Sequence, residues 1–187
     1  IIEIIYEKLE QPLVKDNGKY CGIDIGMNNL FAVSFNDQSK QNILINGRPL
    51  KSINQYYNKK IAKYKSQLET CNKKKKSNKI IKLTNKRNNK IKDYTHKSTR
   101  LLVNELKQNS ISKVIIGKND QWKTNIDIGK KNNQNFVSIP HAQIIDVLTY
   151  KLELEGIEVI LQEESYTSKC SAYDKEPIYK HDVYKGS

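Results

Sequence analysis

Apolar positions alternate with small or polar ones near the start of the chain, in "KYCGIDIGMNNLFAVSFND" (residues 19–37). The alternation predicts a strand from Lys19 to Ile25, a turn through Gly26-Met27-Asn28-Asn29 and a second strand from Leu30 to Asn36. A third strand, Gln41 to Ile45, stops at Asn46-Gly47, so three strands in meander order open the fold. Residues 1–9, "IIEIIYEKL", read as an additional strand or as the tail of a preceding domain. The period then changes. From Ser52 to Leu68 the apolar residues Ile53, Tyr57, Ile61, Tyr64 and Leu68 recur at helical spacing, and a second helix over 78–108 carries Ile91, Tyr94, Ser98, Leu102 and Leu106 along one stripe. "CNKKKKSN" joins the two, which predicts an antiparallel helical pair with a hydrophilic, projecting tip.

The remaining pattern is of a different kind. "KVIIG" (Lys113 to Gly117) is a short continuous apolar run of the sort found in buried parallel strands. "NFVSIPHAQIIDVLTYKLELEGIEVILQEE" then predicts a short strand, a helix and a final strand, with Ser138 as N-cap, Pro140 in the first turn and Gly156 just past the helix end. Ile144, Leu148 and Leu152 form that helix's buried stripe. Three antiparallel strands followed by parallel strands, crossing over right-handedly through a helix, give an α/β class and the order of a ribonuclease H-like mixed sheet. The basic helical pair, residues 51–108, is inserted into it.

Charge sharpens this picture. The net charge is +13, yet residues 51–100 hold 17 of the 33 Lys and Arg residues against only Glu69 and Asp93, while the rest of the chain is close to neutral. A field concentrated in one insertion attracts a polyanion and releases its counterions, which is the sequence-independent part of nucleic-acid binding. The cations expected to carry it are Lys59, Lys60, Lys63, Lys73, Lys74, Lys75, Lys76, Lys86, Arg87, Lys90 and Arg100, with Lys169 further on. A solvated helix surface is the alternative. Tyr56, Tyr57 and Tyr64 lie within the basic helix, where they suit base stacking or core packing equally. The three cysteines, Cys21, Cys71 and Cys170, are far apart and lack C-x-x-C spacing, which predicts a reduced compartment and no zinc. No run of 18 apolar residues exists, so no membrane span is expected and an intracellular setting follows, cytoplasmic or nucleoid-associated in a bacterium.

Two places carry candidate chemistry. Asp24, in "GIDIG", either caps the turn that follows or, in the central strand of a sheet, must be desolvated or meet a positive partner, of which a metal ion is the simplest. "VILQEESYTSKCS" ends an apolar run in two adjacent acids, Glu163 and Glu164. Successive side chains alternate faces, so Glu164 goes with Ile160 and Gln162, and Glu163 with Val159 and Leu161; parity leaves the choice open because the strand has an unknown end. His96 suits packing between the helices, with contact to a backbone phosphate as the alternative; His141 suits hydrogen bonding at a helix start, and Trp122 a loop anchor rather than a base-stacking platform. Asp174 and Asp182 read as surface residues in a turn-rich tail. Tyr166, Thr167, Ser168 and Lys169 offer hydroxyls and an ammonium to a phosphate backbone.

"GIDIGMNNLFAV", the basic pair ending "DYTHKSTR", "KVIIGKNDQWK", "NIDIGKKNNQNFVSIPH" and "EESYTSKCS", in this order, resemble the OrfB or TnpB family of transposon-encoded proteins. Those are RNA-guided DNA nucleases similar to the type V CRISPR effectors. The resemblance implies a RuvC-like nuclease domain over residues 19–187, with 1–18 closing an upstream region. It also implies guide RNA and target DNA as partners, no small-molecule cofactor, and a two-magnesium site held by Asp24 and Glu164, with Glu163 as alternate. In most of the family the strand equivalent to "KVIIG" ends in a catalytic Glu, where this chain has Gly117. Glu164 is the expected replacement, as in a subset of the family and its Fanzor relatives. A third acid and a four-cysteine zinc finger are not found, so the domain is expected to be incomplete at its C-terminus and inactive unaided. A nuclease-inactive nucleic-acid-binding remnant, or an RNA-guided repressor, is the alternative that Gly117 favours. A transposase in the strict sense ranks below it, since no nucleophilic tyrosine motif is evident.

Overall fold

The structure is a computed structural model, which describes residues 11–72, 77–118, 139–164, 166–167, 169–171 and 173–186. The expectations for residues 1–9, the tip cations Lys73, Lys74, Lys75 and Lys76, Trp122, the short strand before Pro140, Ser138 and Ser168 lie outside the described residues. Five strands form one mixed sheet: β1 (Tyr20–Asp24), β2 (Asn29–Phe35), β3 (Ile43–Asn46), β4 (Lys113–Lys118) and β5 (Glu158–Glu163), in the order β3-β2-β1-β4-β5. β1 to β3 pair antiparallel, and β4 and β5 add parallel to β1. This is the expected meander followed by parallel strands. The register sets Ile23 opposite Ile116 and Gly117 opposite Gln162.

The helices are α1 (Arg48–Asn72), α2 (Asn78–Gln108) and α3 (His141–Glu153). α1 starts before its apolar stripe because the Asn46 side-chain carbonyl accepts the Arg48 N–H at 2.9 Å, and Pro49 has no N–H to lose in a first turn. α2, about 46 Å long at 1.5 Å per residue, is capped by Ser77, whose hydroxyl accepts the Ile80 N–H at 3.3 Å. α3 begins two residues later than the expected Ser138 cap implies. Pro140 occupies the N-cap, outside the first turn, and no side chain caps that end.

Strand alternation sends Cys21, Ile23, Val33, Ile45, Val114 and Ile116 to one face, where they meet Leu102, Leu106, Ile144, Leu148 and Leu152 in a single core. The other face carries Gly22, Asp24, Ser34, Leu44 and Ile160, all exposed. Lys151 of α3 is buried against α2, donating to the His96 carbonyl at 2.8 Å and to the Thr99 hydroxyl at 2.7 Å. Burial first, and then the charge of Arg100, holds its ammonium pKa below the usual lysine value. Glu155 bonds Lys107 at 2.7 Å and Arg100 at 3.4 Å, tying the end of α3 to α2.

One consequence of the topology positions the site. β1, β3, β4 and β5 all run in one direction, so Asp24, Asn46, Lys118 and Glu163 mark one end of the sheet. The Tyr94 hydroxyl donates to the Asn46 carbonyl, which puts the middle of α2 at this end. The half of α2 before Tyr94 therefore projects past the sheet with α1, joined to it by Arg87 on Asn54 (2.8 Å) and by the Tyr57 and Thr84 hydroxyls (3.1 Å).

Gly156, past the end of α3 as expected, has φ +73, and an added Cβ would lie 2.5 Å from the Pro12 carbonyl oxygen. Gly156→Ala should cost about 1–2 kcal/mol for the left-handed backbone alone, and more for the displaced carbonyl. Urea denaturation should show a lower midpoint at an unchanged slope.

Candidate active site and nucleic-acid interface

Asp24 ends β1, the central strand, with its side chain on the open face. The desolvation expected for a carboxylate in a central strand does not occur, because no described helix covers this face and the strand ends at the aspartate. Glu164 follows the last residue of β5. Its backbone is held by its own N–H on the Lys118 carbonyl (3.3 Å) and by Thr167, whose N–H and hydroxyl both donate to the Glu164 carbonyl at 3.3 and 2.9 Å. Its carboxyl group lies over Gly117: a Cβ built there would sit 1.7 Å from Glu164 Oε1 and 2.4 Å from Cδ. Any side chain at position 117 would occupy the space this carboxylate fills. Glu163 remains in the strand, opposite Lys118, and exposed.

Asp24 and Glu164 line one open cleft of about 470 Å³, together with Gly22, Asn42, Gly117 and Thr167. Glu164 is half-buried, and its pKa is raised, first by burial and second by the charge of Asp24. The two carboxylates thus act on one another across Gly117. Neither makes an ion pair among the described residues, although the chain carries 33 Lys and Arg. A half-buried carboxylate whose pKa is raised by burial and by a neighbouring acid suits a divalent cation, whose charge can replace the proton. No group of three or more His, Cys, Asp or Glu that could hold a metal ion occurs among the described residues, and Glu163 lines the same cleft as Asp24 and Glu164. Asp174 and Asp182 are exposed in the tail, as expected.

The candidate cations divide into two sets. Lys59, Lys63, Lys86 and Lys90 are exposed on the projecting pair, and Lys60 lies 5.7 Å from the centre of the Tyr56 ring, which is 60 % exposed. Tyr56, Tyr57, Lys86 and Lys90 line a groove of about 290 Å³ between the helices. Arg87 and Arg100 also have partners within the chain. Arg87 turns into the pair, bonding Asn54 and Asn88 (3.0 Å) and lying 5.5 Å over Tyr57, and burial lowers its pKa. Arg100 pairs with Glu155. Lys169 is exposed and lies 5.3 Å from the Tyr184 ring, in a tail ordered by Glu176, which accepts the Ser171 N–H at 2.7 Å. His96 is half-buried against α3, and His141 is wholly buried, its backbone N–H on the Ile139 carbonyl at 3.0 Å. Cys21 and Cys170 are free thiols, and burial pushes Cys21 up to about 12.

Sequence reasoning missed the inward turn of Arg87 because its partner, Asn54, is a polar residue at a buried helix position, and only the 33-residue separation reveals the pairing. It also missed Asn42, a loop residue with no motif around it.

A carboxyl-selective NMR titration measures the coupling directly. Asp24→Asn should lower the Glu164 midpoint, while Gly117→Ala should displace the carboxylate and bring it toward the ordinary glutamate range. A raised folded pKa means that the native state holds the proton more tightly than the unfolded chain. Stability therefore falls as pH rises from the ordinary glutamate value through the raised one. Glu164→Gln should raise Tm at neutral pH and leave it unchanged below the ordinary glutamate range.

Residues 3–123 match the OrfB_IS605 family, described as "Probable transposase"; the match includes Asp24, the helix pair and Gly117 and ends before Glu164. No curated protein matches the chain. Among solved structures, a cryo-EM structure of a Cas12f1-sgRNA-target DNA complex is similar with a TM-score of 0.60 and 20% identity, over 84% of this chain and 39% of that one. A cryo-EM structure of a CRISPR-Cas12f ternary complex is similar with a TM-score of 0.59 and 19% identity, over 90% of this chain and 33% of that one. At these identities the likeness is one of fold, and the chain spans between a third and two fifths of the length of either. No described helix is long and apolar enough to cross a membrane. With the family matched over more than half of its length, the chain belongs to the OrfB_IS605 family.

Proposed function

We propose that this chain is the RuvC-like nuclease domain, of ribonuclease H-like fold, of a TnpB-like RNA-guided DNA endonuclease. The observation that carries the reading is the Glu164 carboxyl group over Gly117, in the same cleft and the same field as Asp24. In α/β sheets of this kind ligands gather beyond the carboxyl ends of parallel strands, and both acids stand there. The fold likeness to Cas12f, whose solved complex contains sgRNA and target DNA, supports nucleic acids as the partners.

When bound, Mg2+ would supply a Lewis acid on the scissile phosphate and a water acidic enough to attack it. Asp24 and Glu164 are the residues of this chain that would hold it. Asp24 is exposed and needs no rearrangement. Burial and then the charge of Asp24 raise the Glu164 pKa, and a bound cation would favour its ionised form. Thr167 fixes the backbone that aims Glu164. The open face beside them, lined by Gly22 and Ser34, leaves room for a phosphodiester to approach. A third carboxylate, as the family resemblance implies, would complete the ligand set.

The projecting helices would hold the guide–target heteroduplex through its phosphates, with Lys59, Lys60, Lys63, Lys86 and Lys90 as contacts, and Tyr56 beside them. Contacts of this kind read A-form shape and charge, so sequence specificity would reside in the RNA.

In the full-length protein with its guide RNA, cleavage of target DNA should require Mg2+, and Asp24→Asn or Glu164→Gln should each reduce it at least about 100-fold with target binding retained. Cleavage that survives Glu164→Gln would show that the acid is elsewhere. A wild-type protein that binds its target without ever cutting it would instead identify a binding remnant.

A further inference from the structure

A second cleft, of about 450 Å³, opens at the seam between α2 and α3, on the helix-covered side of the sheet. Lys92 and His96 of α2 line it opposite Gln143 of α3, and none of its lining residues is acidic. The nearest acid along α2, Asp93, is paired with Lys97 at 2.9 Å. Arg87 forms part of the wall, two of its nitrogens already held by Asn54 and Asn88. Behind His96 lies the buried Lys151 ammonium, which donates to the His96 carbonyl. Burial, then the charge of Lys151, then that of Lys92 hold the His96 imidazole below its usual pKa. α3 begins at the cleft with Pro140, and its positive end carries no side-chain cap among the described residues. Tyr94, bonded to the end of β3, lies between Lys92 and His96, so this cleft sits at the same end of the sheet as Asp24 and Glu164.

Apolar packing does not explain such a cleft. Lysine, imidazole and amide side chains converge on a space with no acidic lining residue, where an entering phosphate would meet donors and no like charge. We propose that the α2–α3 cleft is a phosphate-binding subsite for a nucleic-acid backbone, separate from the carboxylate cleft, with Lys92 and His96 as its principal contacts and Gln143 as a further donor. The inference rests on the nucleic-acid reading above and adds to it a fixed point of attachment where the projecting pair joins the sheet. The lysines of the projecting pair are exposed on long stems and read charge alone. This cleft is walled on two sides and would fix the register of the strand relative to the carboxylates.

The test is a titration of the 187-residue chain with a short labelled RNA–DNA duplex over a range of salt concentrations. Lys92→Gln, at an exposed position that leaves the fold intact by circular dichroism, should weaken binding roughly two- to fivefold at physiological salt and flatten the salt slope by about 1. Lys92→Arg should restore both. The His96 ring resonances should move on adding duplex, and its titration midpoint should rise. Duplex binding by the wild type with unchanged affinity and slope in Lys92→Gln and His96→Gln would overturn the subsite. So would saturable His96 shifts with inorganic phosphate but none with duplex, which would identify a free-anion site. Failure of the wild type to bind any duplex would overturn the nucleic-acid reading itself, and the subsite with it.

Discussion

A carboxylate can stand above a β-strand only where the strand beneath it has no side chain to oppose it. The β4 strand meets that condition at Gly117, which lies between the strand ending in Asp24 and the strand preceding Glu164. Two interstrand spacings separate β1 from β5, about 10 Å of backbone, and a glutamate cannot span that distance around an intervening side chain. Over a glycine it reaches inward. The parallel register, the Thr167 turn that follows β5 and the open sheet face all serve this one placement.

The projecting helices depend on the same end of the sheet. α1 leaves it from β3, α2 returns to it at Tyr94, and the polar contacts between them come from residues that charge alone would assign to solvent. Arg87 over Tyr57 and the Tyr57–Thr84 hydroxyl pair use side chains of a hydrophilic segment as its internal packing. That arrangement lets a pair of helices with half-buried stripes remain associated while the remaining lysines stay outward. Their field then falls at the end of the molecule where Asp24 and Glu164 stand, which is where the polyanion of the proposed function would be drawn.

The elements with a clean period were legible in the sequence. The α2 boundaries, the Ile144, Leu148 and Leu152 stripe and the role of Gly156 follow from spacing and backbone chemistry, and the meander-then-parallel order follows from the kinds of run and their sequence. Ends set by single hydrogen bonds were not legible: Asn46 starts α1 ahead of its apolar stripe, and Pro140 falls outside α3. The candidate site was half legible. Asp24 and the two glutamates stand out as acids at strand ends, but choosing between Glu163 and Glu164 required knowing where β5 stops, because alternation ceases to bind a residue once it leaves the ladder. The partners of Arg87 and Arg100 were not legible at all, since each lies on another element and nothing local marks it.

Proximity of two acids does not by itself distinguish a cation site from an accident of folding, and the case for the cation proposed above rests on their neighbours. This chain has lysine or arginine to spare, and it pairs Asp16, Asp93, Glu155 and Glu158 with cations of its own. If Asp24 and Glu164 were merely strand-end residues, a nearby lysine would offset the Asp24 charge, which after burial raises the Glu164 pKa, at little cost, because the face around them is open and the side chains of lysine are long. None does so among the described residues. Asp24 and Glu164 instead stay without an ion pair among the described residues, in a cleft lined also by Gly22 and Gly117. Uncompensated charge in an accessible cleft is a standing cost to the fold, and a cation arriving with a phosphodiester is what would remove it.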